Sequence, residues 1–301
     1  MTRKASSKKA ASPGRGPLAR KVIASARQHL EQKVVDLAAW RAGKLRAADD
    51  QRSVISRAGL ADCDPLHGLY AYAQNQLSVL IEQMMELPAL GKLADAYAWA
   101  QEEYLPSGPP MSPLTTSYFT CWGFFDLCTS GAKKETLATI ATDFSAFQQV
   151  DEGLITLYET MQASRMGVYR HEGATGRLIV LRELITNEEI TALPASGYTG
   201  TAGELWLARL MPPPFDRAMF DYSVVFTTPY VLGKPGPGRA FIAATEADWL
   251  DYLRRNLAKT RQETEALAYR NHRHDVIFLE GFPDLAASLP QAKEAQERFG
   301  R

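Results

Sequence analysis

The stretch that decides the fold begins Ser164-Arg165-Met166-Gly167-Val168-Tyr169 and later reads Gly203-Glu204-Leu205-Trp206-Leu207-Ala208-Arg209-Leu210. Short apolar and β-branched runs alternate here with glycine and proline, which is typical of strands joined by turns. Gly197, Gly200 and Gly203 precede a strand, whereas a phosphate-binding loop lies between a strand and a helix N-terminus. We therefore interpret these glycines as turn residues and the stretch as a scaffold.

Three runs within residues 164–232 carry a resemblance: Gly167-Val168-Tyr169, Leu181-Arg182-Glu183-Leu184-Ile185-Thr186, and Gly203 to Leu210. On these residues the segment resembles a strand-rich module of uncharacterised bacterial proteins, some of which also carry a SEC-C zinc motif. The resemblance covers under a quarter of the chain. It implies a small, curved β module and no known activity. The chain lacks the Cys-x-Cys and Cys-His or Cys-Cys pairs of the SEC-C motif, so no zinc site is carried over.

Helical patterns lie on both sides of the strand-rich stretch. Before it, apolar residues recur at spacings of three and four, and after it the sequence predicts a long helix near residues 246–268 with apolar residues on one face and a polar helix near residues 284–298. We predict an α+β fold, with an N-terminal helical domain followed by a curved antiparallel β module covered by C-terminal helices. The prediction divides the chain into a disordered basic tail (residues 1–16), a helical domain (residues 17–162) and a β-rich module with C-terminal helices (residues 163–301).

Composition limits the class of protein. Of the 301 residues, 46% are hydrophobic and 23% charged, which argues against a disordered chain. No apolar run approaches the roughly 18 residues of a membrane span, and none follows the N-terminal charges as in a secretory signal. Cys63, Cys121 and Cys128 include no C-x-x-C pair, which favours free thiols in a reducing cytoplasm. We predict no cofactor and no metal ion.

The N-terminus carries the clearest functional signal. Residues 1–30 contain eight basic side chains and no Asp or Glu, so the remainder has a net charge of −8. Such a run neutralises phosphates and releases counterions, although the acidic remainder offers the arm an alternative partner in cis. The predicted polyanion-binding residues are Arg3, Lys4, Lys8, Lys9, Arg15, Arg20 and Lys21.

Two other clusters suggest chemistry. The sequence His272-Arg273-His274-Asp275 stands at the start of a predicted strand. The alternating histidines would place two imidazoles on one side of the backbone, as a metal site requires. The aromatic run between Tyr118 and Phe125 resembles a base-stacking surface, but it has no interleaved Lys or Arg. We therefore interpret the run as core.

The sequence favours a non-enzymatic interaction or regulatory protein of a prokaryotic cytoplasm. Its predicted partners are nucleic acid or an acidic protein surface, contacted through the basic arm, and no membrane. The alternative is a metal-dependent hydrolase, such as a nuclease, that uses His272, His274 and Asp275. The leading hypothesis rests on the basic arm and the β module, which both suit binding, and on the lack of a complete catalytic constellation among the motifs.

Overall fold

The computed structural model describes residues 16–31, 60, 62–105, 116–129, 135–214, 219–232, 245–247, 249–250 and 254. The strands predicted near residues 240 and 277, and the closing helix predicted at residues 284–298, lie outside these ranges. So does most of the helix predicted from residue 246 onward.

Six described α-helices precede the strands, and three of them begin at side-chain caps. Asp64 and Asp151 each accept hydrogen bonds from two amides of the following turn, and Thr136 forms a reciprocal capping box with Thr139. The helices are α1 (Pro17–Glu31), α2 (Pro65–Met85), α3 (Gly91–Tyr104), α4 (Thr116–Phe125), α5 (Leu137–Phe147) and α6 (Glu152–Ala163), with a short 3₁₀ helix at Pro88–Leu90.

Two predictions about these helices are confirmed. The break expected at Pro88 and Gly91 separates α2 from α3, because proline cannot donate the helical hydrogen bond. The aromatic run is core, since all five of its rings are buried in α4: Tyr118, Phe119, Trp122, Phe124 and Phe125.

Six strands follow, and five of them close into a barrel. They are β1 (Arg165–Thr175), β2 (Leu178–Glu183), β3 (Glu189–Pro194), β4 (Leu205–Met211), β5 (Ser223–Val225) and β6 (Tyr230–Leu232). The order around the ring is β1-β2-β3-β5-β4, closed by a β1–β4 pairing, and β6 pairs with β4. The described part of the chain is therefore a mixed α+β structure.

The sheet is mixed, so the prediction of a wholly antiparallel β module was wrong. β3 and β5 run parallel, with Ala192 opposite Ser223, while the other pairings are antiparallel. The reason is geometric, because an odd number of strands cannot close into a ring in which every neighbour is antiparallel. One parallel contact is required, and it falls between β3 and β5.

Two predicted strands have different lengths in the structure. The strand predicted at residues 166–170 extends to Thr175, because a register shift between His171 and Gly173 carries the pairing onward. The sequence predicts one strand over residues 222–228, but the strand formed there is limited to Ser223–Val225 (β5), and β6 begins beyond it at Tyr230. The interruption, residues 226–229, lies opposite Arg209, whose amide donates to Thr227 Oγ1 at 2.9 Å.

The two faces of the barrel strands have different surroundings. One cluster of buried side chains comes only from strands and fills the interior, with Trp206, Ala208 and Leu210 as the contribution of β4. The opposite face of β4 packs on helices, since Leu205 and Leu207 join the aromatic rings of α4. All seven residues of β4 are buried, so this strand is covered on both sides.

A buried ion pair joins the helices to the barrel. Arg209 lies on the outer face of β4, is fully buried, and binds the carboxylate of Asp126 just after α4. Its guanidinium also donates to Ser164 Oγ at 3.2 Å and lies over the Phe125 ring at 5.5 Å. Burial lowers the pKa of Arg209, but the Asp126 carboxylate together with Cys121 and Tyr118 outweighs that effect and the pKa is raised. The pair is therefore charged.

Cys121 lies close to this ion pair, and its thiol is expected to be inert in the folded protein. Burial raises its pKa to about 12, with Arg209 opposing and Asp126 adding to the rise. The reactive thiolate form is therefore disfavoured at pH 8. We expect a thiol reagent at pH 8 to modify the half-buried Cys63 and Cys128 in the native protein, and Cys121 only after unfolding.

Cys121→Ala provides the control for this experiment. The variant should show the same number of reactive thiols before and after unfolding in denaturant. Modification of all three wild-type thiols at one rate would contradict the burial of Cys121.

Among the described helices, none combines the length and apolarity needed to cross a lipid bilayer.

Candidate functional site

Two of the predicted polyanion-binding residues lie in the described part of the chain. Arg20 and Lys21 are exposed on α1, and Arg27 lies one to two turns further along the helix. The remaining five lie outside the described residues: Arg3, Lys4, Lys8, Lys9 and Arg15.

The opposite side of α1 fixes the helix to the protein. Ala19, Val22 and Ile23 are buried, so the helix has an apolar side inside and basic side chains outside. Arg27 stays near the body, with its guanidinium 5.1 Å from the centroid of the Phe147 ring. The exposed cations are therefore held on a docked helix.

A distant carboxylate caps the N-terminus of α1. Glu135 is buried, and its two oxygens accept hydrogen bonds from the amides of Leu18 and Ala19 at 3.0 and 2.9 Å. A carboxylate there satisfies two free amides and also interacts favourably with the helix dipole. Gly16 leaves room for it, since a Cβ at that position would lie 2.1 Å from Glu135 Cδ. Sequence reasoning missed Glu135, because it is more than 100 residues from α1 and matches no capping pattern there.

Charge pairing distinguishes α1 from the barrel surface. Described arginines of the barrel form ion pairs: Arg170 with Glu172 and Glu246, Arg177 with Asp64, and Arg182 with Glu172 and Glu189. Within the described ranges, neither Arg20 nor Lys21 has an ion-pair partner. The positive charge of α1 is thus available to a ligand.

A groove of about 660 Å³ lies beside the N-terminal end of α1 and is called the arm-root groove here. Its apolar lining includes Leu18, Leu93 and Leu127, and its basic residues are Lys21 of α1 and Lys92 of α3. The other lining residues are Pro17, Pro88, Ala89, Ala96, Cys128, Thr129 and Glu135. The groove has the size of a small-molecule site, about 300–1,000 Å³.

A polar cluster lies where the loop after β3 packs on the barrel. Glu204 accepts hydrogen bonds from Trp206 Nε1 at 2.8 Å, from Thr201 and from Tyr198, and these bonds lower its pKa although burial opposes them. The sequence places His171 beside a turn. In the structure its side chain is buried, and its Nε2 lies 2.8 Å from Thr199 O. Because a carbonyl only accepts, Nε2 carries the proton. These contacts anchor the loop.

The glycines of that loop behave as predicted. Gly197, Gly200 and Gly203 all have positive φ, between 61° and 92°, which is the left-handed region that turns use. Gly200 also lies directly against the indole of Trp206, where a Cβ would come within 2.3 Å of the ring. The loop is therefore closed on the barrel.

The three residues of the hydrolase alternative, His272, His274 and Asp275, lie outside the described residues. In the part of the chain that the structure describes, no three His, Cys, Asp or Glu residues are grouped as metal ligands would be. The hydrolase alternative stays a prediction, and the metal content of protein purified without chelator addresses it.

Comparison with known proteins adds no family and no relative. No protein-family model, no curated protein and no solved structure gives a significant match to the chain.

Proposed function

We propose that this chain is a non-enzymatic interaction or regulatory protein of a prokaryotic cytoplasm, and that its basic N-terminal arm contacts nucleic acid or another polyanion. The observation that carries the proposal is the pair of exposed cations Arg20 and Lys21 on a docked helix, neither of which has an ion-pair partner among the described residues. This helix directly follows the basic residues of the arm in sequence. Helices after residue 245 would complete the cover of the barrel.

Electrostatics supports a polyanion as the ligand. Lysine and arginine that replace condensed counterions on a nucleic acid gain free energy from the release of those ions, without reading sequence. Residues 1–30, which cover the arm and nearly all of α1, supply eight such side chains and no carboxylate. Because α1 is fixed by Glu135 and its buried face, the backbone that carries Arg20 and Lys21 is already ordered before a ligand binds. Less backbone ordering is then required on binding.

The barrel surface is a weaker candidate for the same role. Its described arginines are neutralised in ion pairs with Glu172, Glu189, Glu246 and Asp64. Stacking of bases on a protein requires exposed rings beside free cations. On the described strands and their loops, the exposed ring is Tyr198, and its hydroxyl is bound to Glu204. The proposal therefore assigns the contact to the arm and α1.

Replacing arm cations tests the proposal. We expect an intact chain to bind a fluorescent single-stranded oligonucleotide at low salt, as measured by anisotropy. Substitution of Arg3, Lys4, Lys8, Lys9 and Arg15 by Gln should weaken binding at least 10-fold, because five phosphate contacts are lost. The double variant Arg20→Glu/Lys21→Glu should weaken it several-fold.

A shuffled arm is the matched control. It keeps the composition and length of residues 2–15, so non-specific phosphate contacts should survive and affinity should change less than twofold. Heparin should compete with the oligonucleotide. No measurable binding by the intact chain, or equal binding by the Gln variant, would contradict the proposal.

A further inference from the structure

We propose that the arm-root groove binds a small anionic amphiphile, that is, a carboxylate or phosphate head on an apolar body. The ligand is distinct from the polyanion of the proposed function, and the inference does not rest on that function. Three features of the groove carry it: an apolar lining, two lysines that have no partner in the described part of the chain, and a hydroxyl hydrogen that is available to a ligand.

The apolar lining comes from separate elements. Leu18 belongs to α1, Leu93 and Ala96 belong to α3, and Leu127 follows α4. Contact with the apolar part of a ligand would remove this surface from water, which is the main source of affinity in such sites. The concave shape and the volume of about 660 Å³ favour a small molecule over a flat protein partner.

The basic residues determine the sign of the ligand charge. Lys21 and Lys92 come from different helices and both line the groove. Within the described ranges, neither side chain has an ion-pair or hydrogen-bond partner. The one carboxylate in the lining, Glu135, is already bound by the amides of Leu18 and Ala19 at the positive end of α1. The charge left for a ligand is therefore positive.

Thr129 adds a directed donor. Its Oγ1 accepts a hydrogen bond from the Glu135 amide at 3.1 Å, so its own hydrogen is left to donate. A hydroxyl donor together with two lysines suits the oxygens of a carboxylate or a phosphate. Lysine interacts with either head as a point charge and does not select between them.

Calorimetric titration with decanoate, decyl phosphate and decyltrimethylammonium, each kept below its micelle concentration, tests the inference on the full chain. We expect both anions to bind one site and the cation to bind at least about 10-fold more weakly, since it must approach two like charges. Lys21→Glu and Lys92→Glu should each weaken decanoate by about fivefold, the scale of an exposed ion pair. Ala96→Trp should abolish binding by filling the groove.

Arg20→Glu is the matched control, because Arg20 precedes Lys21 on α1 but does not line the groove. Arg20→Glu should leave decanoate affinity unchanged and still lower oligonucleotide affinity. Ala96→Trp should abolish decanoate binding and leave oligonucleotide affinity unchanged. The two proposals can thus fail separately.

Equal binding of decanoate and decyltrimethylammonium would overturn the inference. So would decanoate affinity that neither lysine variant changes. Thermal unfolding of each variant checks its fold, and Ala89→Leu on the 3₁₀ helix replaces Ala96→Trp if the latter unfolds.

Discussion

Replacing Arg209 with methionine is expected to lower the free energy of unfolding by about 3–5 kcal/mol, measured by urea denaturation. The variant keeps most of the volume of the side chain but leaves the buried Asp126 carboxylate without its counter-charge. It also removes the donor to Ser164 at the junction of α6 and β1. The loss of these contacts should therefore destabilise both β4 and the packing of the helices on the barrel.

A double variant separates the ion pair from the packing around it. Arg209→Met/Asp126→Leu removes both charges, so it should be more stable than the Arg209→Met single variant. Glu189→Ala, which breaks a half-exposed ion pair with Arg182, is the surface control and should cost no more than about 1 kcal/mol. If Arg209→Met lowers the free energy of unfolding no more than Glu189→Ala does, the buried ion pair does not hold the helices to the barrel.

Replacing Glu135 with alanine is expected to release α1 from the protein. Two charge-assisted hydrogen bonds to the amides of Leu18 and Ala19 are lost, and each leaves a donor that was satisfied at the helix N-terminus. We expect a loss of about 2–3 kcal/mol in unfolding free energy. Amide hydrogen exchange within Pro17–Glu31 should accelerate more than exchange in α5 and α6.

The same variant connects the fold to the proposed function. With α1 loosened, Arg20 and Lys21 lose their fixed positions, so oligonucleotide affinity should fall although no cation has been removed. Glu159→Ala, an exposed glutamate on α6, is the control and should alter neither exchange nor affinity. Unchanged exchange in α1 after Glu135→Ala would mean that the buried face alone holds the helix.

The sequence predicted elements better than their ends. The helices and the break at Pro88 could be predicted, because apolar spacing and proline determine structure within a short segment. The extension of β1 beyond residue 170 could not be predicted, since it depends on a bulge between His171 and Gly173. The gap between β5 and β6 likewise depends on the neighbouring strand β4, where the Arg209 amide donates a hydrogen bond to Thr227 Oγ1. The parallel β3–β5 contact follows from ring closure, which no single segment encodes.

The candidate site was predictable only in part. A basic run without acids predicted the exposed Arg20 and Lys21, because charge requires no tertiary partner to stay in water. Glu135 and the arm-root groove depend on segments far apart in sequence and were missed. Arg209 did give a signal, as a lone arginine in the apolar run Leu205–Met211, and such a residue in a covered strand requires a buried partner. The sequence did not identify Asp126 as that partner.

The salt dependence of oligonucleotide binding tests the central claim most directly. The logarithm of the binding constant should fall linearly with the logarithm of salt concentration, by about 0.7 for each phosphate contact to a single strand. If the five cations of residues 1–16 contact phosphates, deleting those residues should make the slope shallower by up to about 3.5. Equal slopes for the intact and shortened chains would contradict the account.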